Sequence, residues 1–333
     1  MTRLGPEWLA HRYDPGHDAV HFREVDRATR ARIPFLTDEE LGGPGTPQVL
    51  RRADLVALRA SAGPLHFIFH SAYCCSTLLA NAYDRPGTSH SLKEPVILND
   101  LVGWRHRGAD PQALGGVLEQ SLDFLARPFE PGEVSVVKPS NVVNGLAPAM
   151  LAARPQASAL LLYAPLRLYL GSIAAKGLWG RRWVRDLLHK QLKEGLAVPG
   201  FSAEDHFLQT DLQVAAVGWL AQHALYARLA ERFPGRVRTL DSERLLADPA
   251  AALTALDGMF GIASDDGARA ALIARVFGRN AKTGARFAAA DRQADQAAAA
   301  SVHADEIAKV HDWSLEVVSA AGIALDPPDP LLG

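Results

Sequence analysis

The stretch LHFIFHSAYCCSTLLAN, Leu65–Asn81, decides the fold. Leu65–His70 is a short, nearly continuous apolar run ended by a loop, the pattern of a strand buried on both faces. From about Ser76 the chain reads as a helix. HSAYCCST between the two, His70–Thr77, has the length and position of a phosphate-binding loop. A Walker A loop reads G-x-x-x-x-G-K-[ST]. Laid on His70–Thr77, Cys75 takes the second glycine and Ser76 the lysine, and Thr77 alone matches. The lysine that reaches the β- and γ-phosphates of a nucleoside triphosphate is therefore missing. The strand–turn–helix geometry remains, and it aims free N–H groups and a helix dipole at an anion. Ser76 and Thr77 add hydroxyls, and the small Cys74, Cys75 and Ser76 allow a phosphate to approach the backbone. The plain alternative is a helix cap that binds nothing. A cysteine placed where the loop needs φ > 0 is expected to be strained.

Outward from this stretch, short apolar runs alternate with helical patterns. TSHSLKE precedes VILNDLVGW, VSVVK precedes NGLAPAMLAAR, ASALLLYA precedes LRLYLGSIAAK, and RVRTLD precedes SERLLADPAAALTALDGMF. PQALGGVLEQSLDFLAR and TDLQVAAVGWLAQHALYARLAERF carry helical periodicity of their own. This alternation predicts an α/β fold, a three-layer, P-loop-like parallel sheet flanked by helices, with a helical C-terminal region. Ligands of such sheets bind at the carboxyl ends of the strands. Residues 1–63 are expected to form an N-terminal extension packed on the core, with one helix over VLRRADLVALRAS, and 64–333 a single α/β domain. The Ala-biased FAAADRQADQAAAASVHADE suits a helix.

The chain has 333 residues, 48% hydrophobic and 22% charged, ordinary for a globular enzyme with a core large enough to need no covalent staples. A formal net charge of −2 gives no overall case for nucleic acid or a membrane surface as partner. The two cysteines are adjacent, so no disulfide framework is possible, and a reducing, cytoplasmic location is expected. The N-terminus has no apolar signal region, and no stretch approaches the roughly 18 apolar residues of a membrane span. No C-x-x-C, H-E-x-x-H or G-x-S-x-G occurs. His66 and His70 share a strand face without a third ligand in sight, so no metal site is predicted.

Three more stretches carry chemistry. SLKEPVIL places Lys93 and Glu94 after a weak strand, VSVVKPSN ends a strand on Lys138, and LLLYAPLRLYLGSIAAKG runs from a strand into a helix carrying Arg167, Ser172 and Lys176. In this order and spacing the chain resembles the PAPS-dependent sulfotransferases (PAPS is 3′-phosphoadenosine-5′-phosphosulfate). Protein-tyrosine sulfotransferases and bacterial sulfotransferase-like proteins look closest. Their R-S-G-T-T-L loop matches Tyr73, Cys74, Cys75, Ser76, Thr77 and Leu78. Their Glu after the second strand matches Glu94, and their strand-end Lys matches Lys138. Their Y-E-D-L-x-x-D-P element matches Glu243, Leu245 and Pro249. The resemblance covers about residues 65 to 260.

It implies PAPS as co-substrate, no metal, and sulfuryl transfer to a hydroxyl or amine by in-line displacement. The implied general base is Glu94, with Lys138 facing the leaving phosphate. Tyr73, Cys74, Cys75, Ser76 and Thr77 would hold the 5′-phosphate, and Arg167, Ser172 and Lys176 the 3′-phosphate. The chain departs from the pattern in three places. Tyr73 stands at the loop's basic residue, Cys75 at its glycine, and Ala164 at the arginine eight positions before the serine. For the family's C-terminal R-K-G-type loop, the nearest candidate is GRNAKTGARF, with Arg279, Lys282 and Arg286. Each residue also has a plainer reading. Glu94 pairs with Lys93 or caps a helix, Ser172 bonds back to a carbonyl, Arg167 and Lys176 are solvated, and Glu243 holds a loop.

KGLWGRRWVRDLLHK is basic and carries two tryptophans, which fits a pocket rim, and KEGLAVPGFSAEDH is long enough for a lid. The acceptor stays open among small molecule, carbohydrate and peptide. Two other readings remain: a P-loop-like phosphotransferase, and a non-catalytic relative that binds a nucleotide or a partner.

Overall fold

The computed structural model describes residues 4–55, 62–202, 204–278 and 302–333. The chain begins with an antiparallel hairpin, β1 (Trp8–Asp14) and β2 (Ala19–Glu24), followed by helix α1 (Arg27–Arg32), capped by the Asp26 carboxylate on Thr29 N–H. Strand β3 (Gln48–Arg51) pairs with β2 to complete a three-stranded sheet, and a short helix α2 (Arg52–Leu55) follows. The single helix expected over VLRRADLVALRAS is thus corrected at its start. Pairing of Ala19 with Arg51 and Val20 with Leu50 supplies ladder bonds that local helix propensity does not anticipate. Residues 56–61 of that stretch lie outside the described residues. The hairpin's own signal is Pro15–Gly16 between two half-apolar runs; Gly16 N–H bonds the Asp14 carboxylate at 2.8 Å.

The main sheet opens with β4 (Leu65–His70), fully buried along its length, and helix α3 (Ser76–Asn81). Then come β5 (Ser89–Lys93), α4 (Val96–His106), α5 (Pro111–Leu125), β6 (Val134–Lys138) and, after a 3-10 turn at Asn141–Leu146, α6 (Ala147–Ala153). Strand β7 (Ala159–Tyr163) leads into α7 (Leu166–Ala175), α8 (Gly177–Lys193), α9 (Asp205–Leu208) and the long α10 (Asp211–Arg232). Strand β8 (Val237–Asp241), α11 (Ser242–Ala247), α12 (Pro249–Phe260), α13 (Asp266–Val276) and α14 (Ala304–Ala321) follow among the described residues. Start signals written in the sequence set several of these boundaries. Asp110 caps α5 with Pro111 in its first turn, Thr210 and Gln213 form a capping box on α10, and Asp248 caps α12 ahead of Pro249. Gly261 and Gly322 close α12 and α14 in the left-handed region.

The five strands pair in parallel in the order β5-β6-β4-β7-β8. Strands β4 to β7 are buried on every residue, so both faces are covered by helices, as a parallel sheet requires. The α/β architecture and the helical C-terminal region expected from the sequence are present. After β4 the chain winds to one side of it, and after β6 it crosses to the other. The loop following β4 therefore stands at the topological switch point, where sheets of this kind bind ligands.

The N-terminal segment lies against this sheet. The Arg12 guanidinium grips Asp100 of α4 through two bonds of 2.8 and 2.9 Å, and Leu36 N–H bonds Lys93 O at 2.7 Å. GRNAKTGARF from Arg279 onward, with Lys282 and Arg286, and most of the Ala-biased segment lie outside the described residues. Among the described residues no helix is long and apolar enough to cross a membrane.

Candidate active site

The carboxyl ends of β4, β5 and β6 bring His70, Glu94 and Lys138 together. Strand register sets this up, since Lys93 on β5 pairs with Lys138 on β6 and leaves Glu94 as the first residue past the edge. Glu94 N–H bonds Lys138 O at 2.7 Å, and its φ of 54° turns the chain sharply there. The Glu94 carboxylate Oε1 accepts directly from Lys138 Nζ. Lys138 is 1% exposed. A cation at that depth needs a charge partner, and Glu94, at the open side of the pair, supplies it. Thr77 Oγ1 lies 3.5 Å from the same Nζ, the Phe35 ring centroid 5.0 Å away, and His70 Nε2 is 3.8 Å from Glu94 Oε1.

The plain reading that pairs Glu94 with Lys93 is overturned. Lys93 Nζ points into the fold and is taken by Ala31 O at 2.9 Å, Asn81 Oδ1 at 3.0 Å and Asp84 at 3.3 Å. It pins α1 and α3 to β5 and is a structural residue.

The loop is strained as the sequence leads one to expect. Ala72, Tyr73 and Cys75 all stand at positive φ, 75°, 54° and 62°. Each costs about 1 kcal/mol for a residue with a Cβ. Cys75 caps α3 from the left-handed region without a side-chain cap bond. Backbone strain of this kind recurs at ligand clamps and active sites, and here it lies beside a buried charge pair. Cys74 is fully buried, with its sulfur 3.5 Å from Leu162 O, and burial pushes its thiol up to about 12. Its side chain anchors the loop underneath and offers nothing to a ligand. Ser76 and Thr77 begin α3, both nearly buried. Tyr73 turns toward the helices, edge-on to Tyr169 at 6.1 Å and to Trp183 at 5.6 Å, and Trp183 stacks on the exposed Trp179. Burial raises the Tyr73 phenol to about 12.

The residues expected around a 3′-phosphate are more dispersed. Arg167 sits in the first turn of α7, exposed and without a hydrogen bond or ion pair among the described residues. Ser172 Oγ donates to Leu168 O at 2.9 Å, inside its own helix. Lys176 is exposed at the far end of α7, about 15 Å along the axis from its start. Ala164, at the position of the family's arginine, is fully buried, and its carbonyl accepts from Trp219 Nε1 at 2.9 Å. Glu243 begins α11, where its N–H bonds Asp241 at 2.7 Å, and Leu245 is buried, so the stretch braces the end of β8.

The basic segment is largely neutralised by neighbours, with Arg181 on Glu306 and Arg185 on Asp211. The segment expected as a lid is tethered at its start, where the buried Glu194 accepts from Arg105 at 2.7 Å and meets His106 at 2.5 Å. His66 takes no part in the site. It stacks on Phe260 and accepts from Ser158 N–H, and burial lowers it to about 4. Among the described residues no three His, Cys, Asp or Glu side chains group as metal ligands.

Two residues escape sequence reasoning. Phe35 belongs to the N-terminal segment and no local pattern links it to Lys138. His70 has a signal, as the polar residue that ends an otherwise apolar strand at the edge where ligands bind.

No protein-family model matches the chain, and no curated protein matches it in sequence. Among solved structures, it is similar to the sulfotransferase STF9 from Mycobacterium avium, with a TM-score of 0.44 and 13% identity over 75% of this chain and 80% of that one. It is also similar to the sulfotransferase domain of the Synechococcus PCC 7002 olefin synthase, with a TM-score of 0.37 and 13% identity over 73% and 96% of the two chains.

Proposed function

We propose that this chain is a sulfotransferase that takes its sulfuryl group from PAPS and passes it to a hydroxyl or amine. The observation that carries the reading is the buried Lys138 held by Glu94 beside Thr77, at the switch point of a parallel sheet and next to a strained strand–turn–helix loop.

The chain's residues fit the 5′ side of such a nucleotide. Lys138 offers a buried cation whose charge partner is a single carboxylate, and Ser76 and Thr77 offer hydroxyls at the loop. Arg167 is the cation assigned to the 3′-phosphate, standing one turn after the buried Ala164. PAPS, when bound, supplies the activated sulfuryl group. Lys138 faces the phosphate oxygen that takes up negative charge, from a buried position where a cation acts most strongly on it. Glu94 accepts the proton that the hydroxyl or amine loses. Binding separates Glu94 from Lys138, so the pair that neutralises itself in the free protein becomes a base and a cation. Trp179 and Trp183 form the rim nearest the loop through Tyr73. The acceptor is a small molecule, carbohydrate or peptide presented across that edge.

Calorimetric titration with adenosine 3′,5′-bisphosphate, beside adenosine 5′-monophosphate and ATP with Mg²⁺, tests the reading. Metal-independent binding that requires the 3′-phosphate is expected. Glu94→Gln is expected to keep that binding and to lower transfer by about 10²- to 10⁴-fold in an acceptor screen with PAPS. Binding of ATP with Mg²⁺ alone would move the chain to the phosphotransferases. The buried Ala164 favours a second reading, a relative that binds nucleotide without transfer. That reading predicts bisphosphate binding that Glu94→Gln leaves intact, with no transfer in the unaltered chain.

A further inference from the structure

His70 is held through both its backbone and its ring. Its carbonyl accepts from Asn144 Nδ2 at 3.0 Å, and its ring Nδ1 accepts the Ala72 N–H at 3.1 Å. A nitrogen that accepts a backbone N–H carries no proton of its own. The neutral ring therefore has its proton on Nε2. Nε2 lies 3.8 Å from Glu94 Oε1, the same oxygen that Lys138 holds. The imidazole is nearly buried, at 5% exposure.

We infer that His70 is a positioning residue, holding Glu94 through Nε2–H when Lys138 leaves it for a bound anion. The inference rests on the reading of Glu94 as the base. At 3.8 Å the two groups do not yet hydrogen-bond. Closing by under about 1 Å brings them into range. As long as Lys138 sits on Oε1, the carboxylate has its stronger, charged partner. Once a phosphate competes for Lys138, Glu94 needs a donor that stays behind, or it follows the lysine away from the acceptor. A neutral N–H fills that place well. It orients the carboxylate, yet lacks the positive charge that would make it a poor base. His70 is also unsuited to act as the base itself. Nε2 already bears a proton, and protonating Nδ1 breaks the bond to Ala72 and disturbs the strained loop. Base and holder are thus divided between two side chains.

The two amides that resemble parts of the histidine ring separate this role from a loop brace. Asn places its oxygen near Nδ1 and keeps the acceptor for Ala72, but it has no donor at Nε2. Gln reaches the Nε2 position and keeps the donor. In the transfer assay, His70→Gln is expected to retain kcat within about threefold, and His70→Asn to lose about tenfold or more with KM for PAPS unchanged. The reverse order, with Asn active and Gln inactive, would assign His70 to the loop alone and overturn the inference.

A second measurement needs neither PAPS nor an acceptor. Imidazole ¹⁵N NMR of the full chain, with His70 assigned by loss of its signals in His70→Gln, is expected to show a neutral ring protonated at Nε2. In Lys138→Met, which removes the competing cation, the Nε2 signal is expected to move downfield as the bond to Glu94 forms. It should return in Lys138→Met combined with Glu94→Gln. A ring protonated at Nδ1, or an Nε2 signal indifferent to both changes, overturns the inference. Failure of bisphosphate binding with the NMR shifts intact would instead strike the proposed function and leave the Glu94–His70 contact standing.

Discussion

The two halves of the proposed nucleotide site are built differently. Around Lys138, three strand ends converge. His70 and Thr77 lie within 3.8 Å of atoms of the Glu94–Lys138 pair, and the loop beside them holds three strained residues. Along α7, the three expected residues are strung over a helix. Arg167 projects into solvent, Ser172 donates to its own helix, and Lys176 lies at the opposite end. Strands of a parallel sheet all finish at one edge, so residues far apart in sequence meet there without further help. A helix turns its side chains through every direction, and only one of its faces can serve one ligand. The first half is therefore preorganised, while the second depends on a single exposed cation.

The comparison can be broken most directly at Lys138. Lys138→Met is expected to lower transfer by about 10³-fold and to weaken bisphosphate binding, measured by initial rates and calorimetry. A loss under tenfold would mean that the preorganised half does not carry the chemistry. Introducing the arginine of the sulfotransferase pattern gives the next effect. Ala164→Arg places a long cation in a fully buried position beside Trp219, and is expected to destabilise the fold by about 3 kcal/mol or more in urea unfolding. Unchanged stability with tighter binding would show that α7 can be completed as a phosphate site.

Arg167→Ala sharpens the contrast at smaller cost. It is expected to weaken the 3′,5′-bisphosphate about tenfold and to leave adenosine 5′-monophosphate unchanged, with Lys176→Ala as the inert control. Equal weakening of both nucleotides would remove Arg167 from the 3′ side. Cys75→Gly has the smallest expected effect. Relief of the left-handed backbone should add about 1 kcal/mol, seen as a rise of about 2 °C in Tm. A fall would mean that the thiol packs more favourably than the backbone strains.

Much of this was legible before any coordinates. Each strand of the main sheet announces itself as a short apolar run ahead of a helical pattern. Lys138 could be singled out because an apolar strand delivers it to the carboxyl edge of the sheet, and Glu94 because it matches the family pattern, whereas Lys93, the polar end of its own run, turns into the fold. The hairpin of β1 and β2 was harder to read, since its strands are half-polar and their stability comes from pairing and from packing on α4. Phe35 could not be found in this way, because its place over Lys138 depends on how the N-terminal segment crosses the end of β5. Ser172 shows the opposite limit. It stands at the serine of the family pattern, yet the hydroxyl bonds within its own helix, the plainer of the two readings that the sequence offered.

The paired cysteines have a practical consequence. The sequence contains only Cys74 and Cys75, and they part company in space, one sealed in the core with a raised thiol pKa and the other half-buried at the cap of α3. The native protein thus brings its own single-point labelling chemistry. A maleimide or iodoacetamide applied to the folded chain is directed to one atom beside the strained loop after β4. The pace of that alkylation, followed by intact-mass spectrometry, becomes a clock for occupancy of the proposed site, readable without an acceptor, a radiolabel or an engineered reporter.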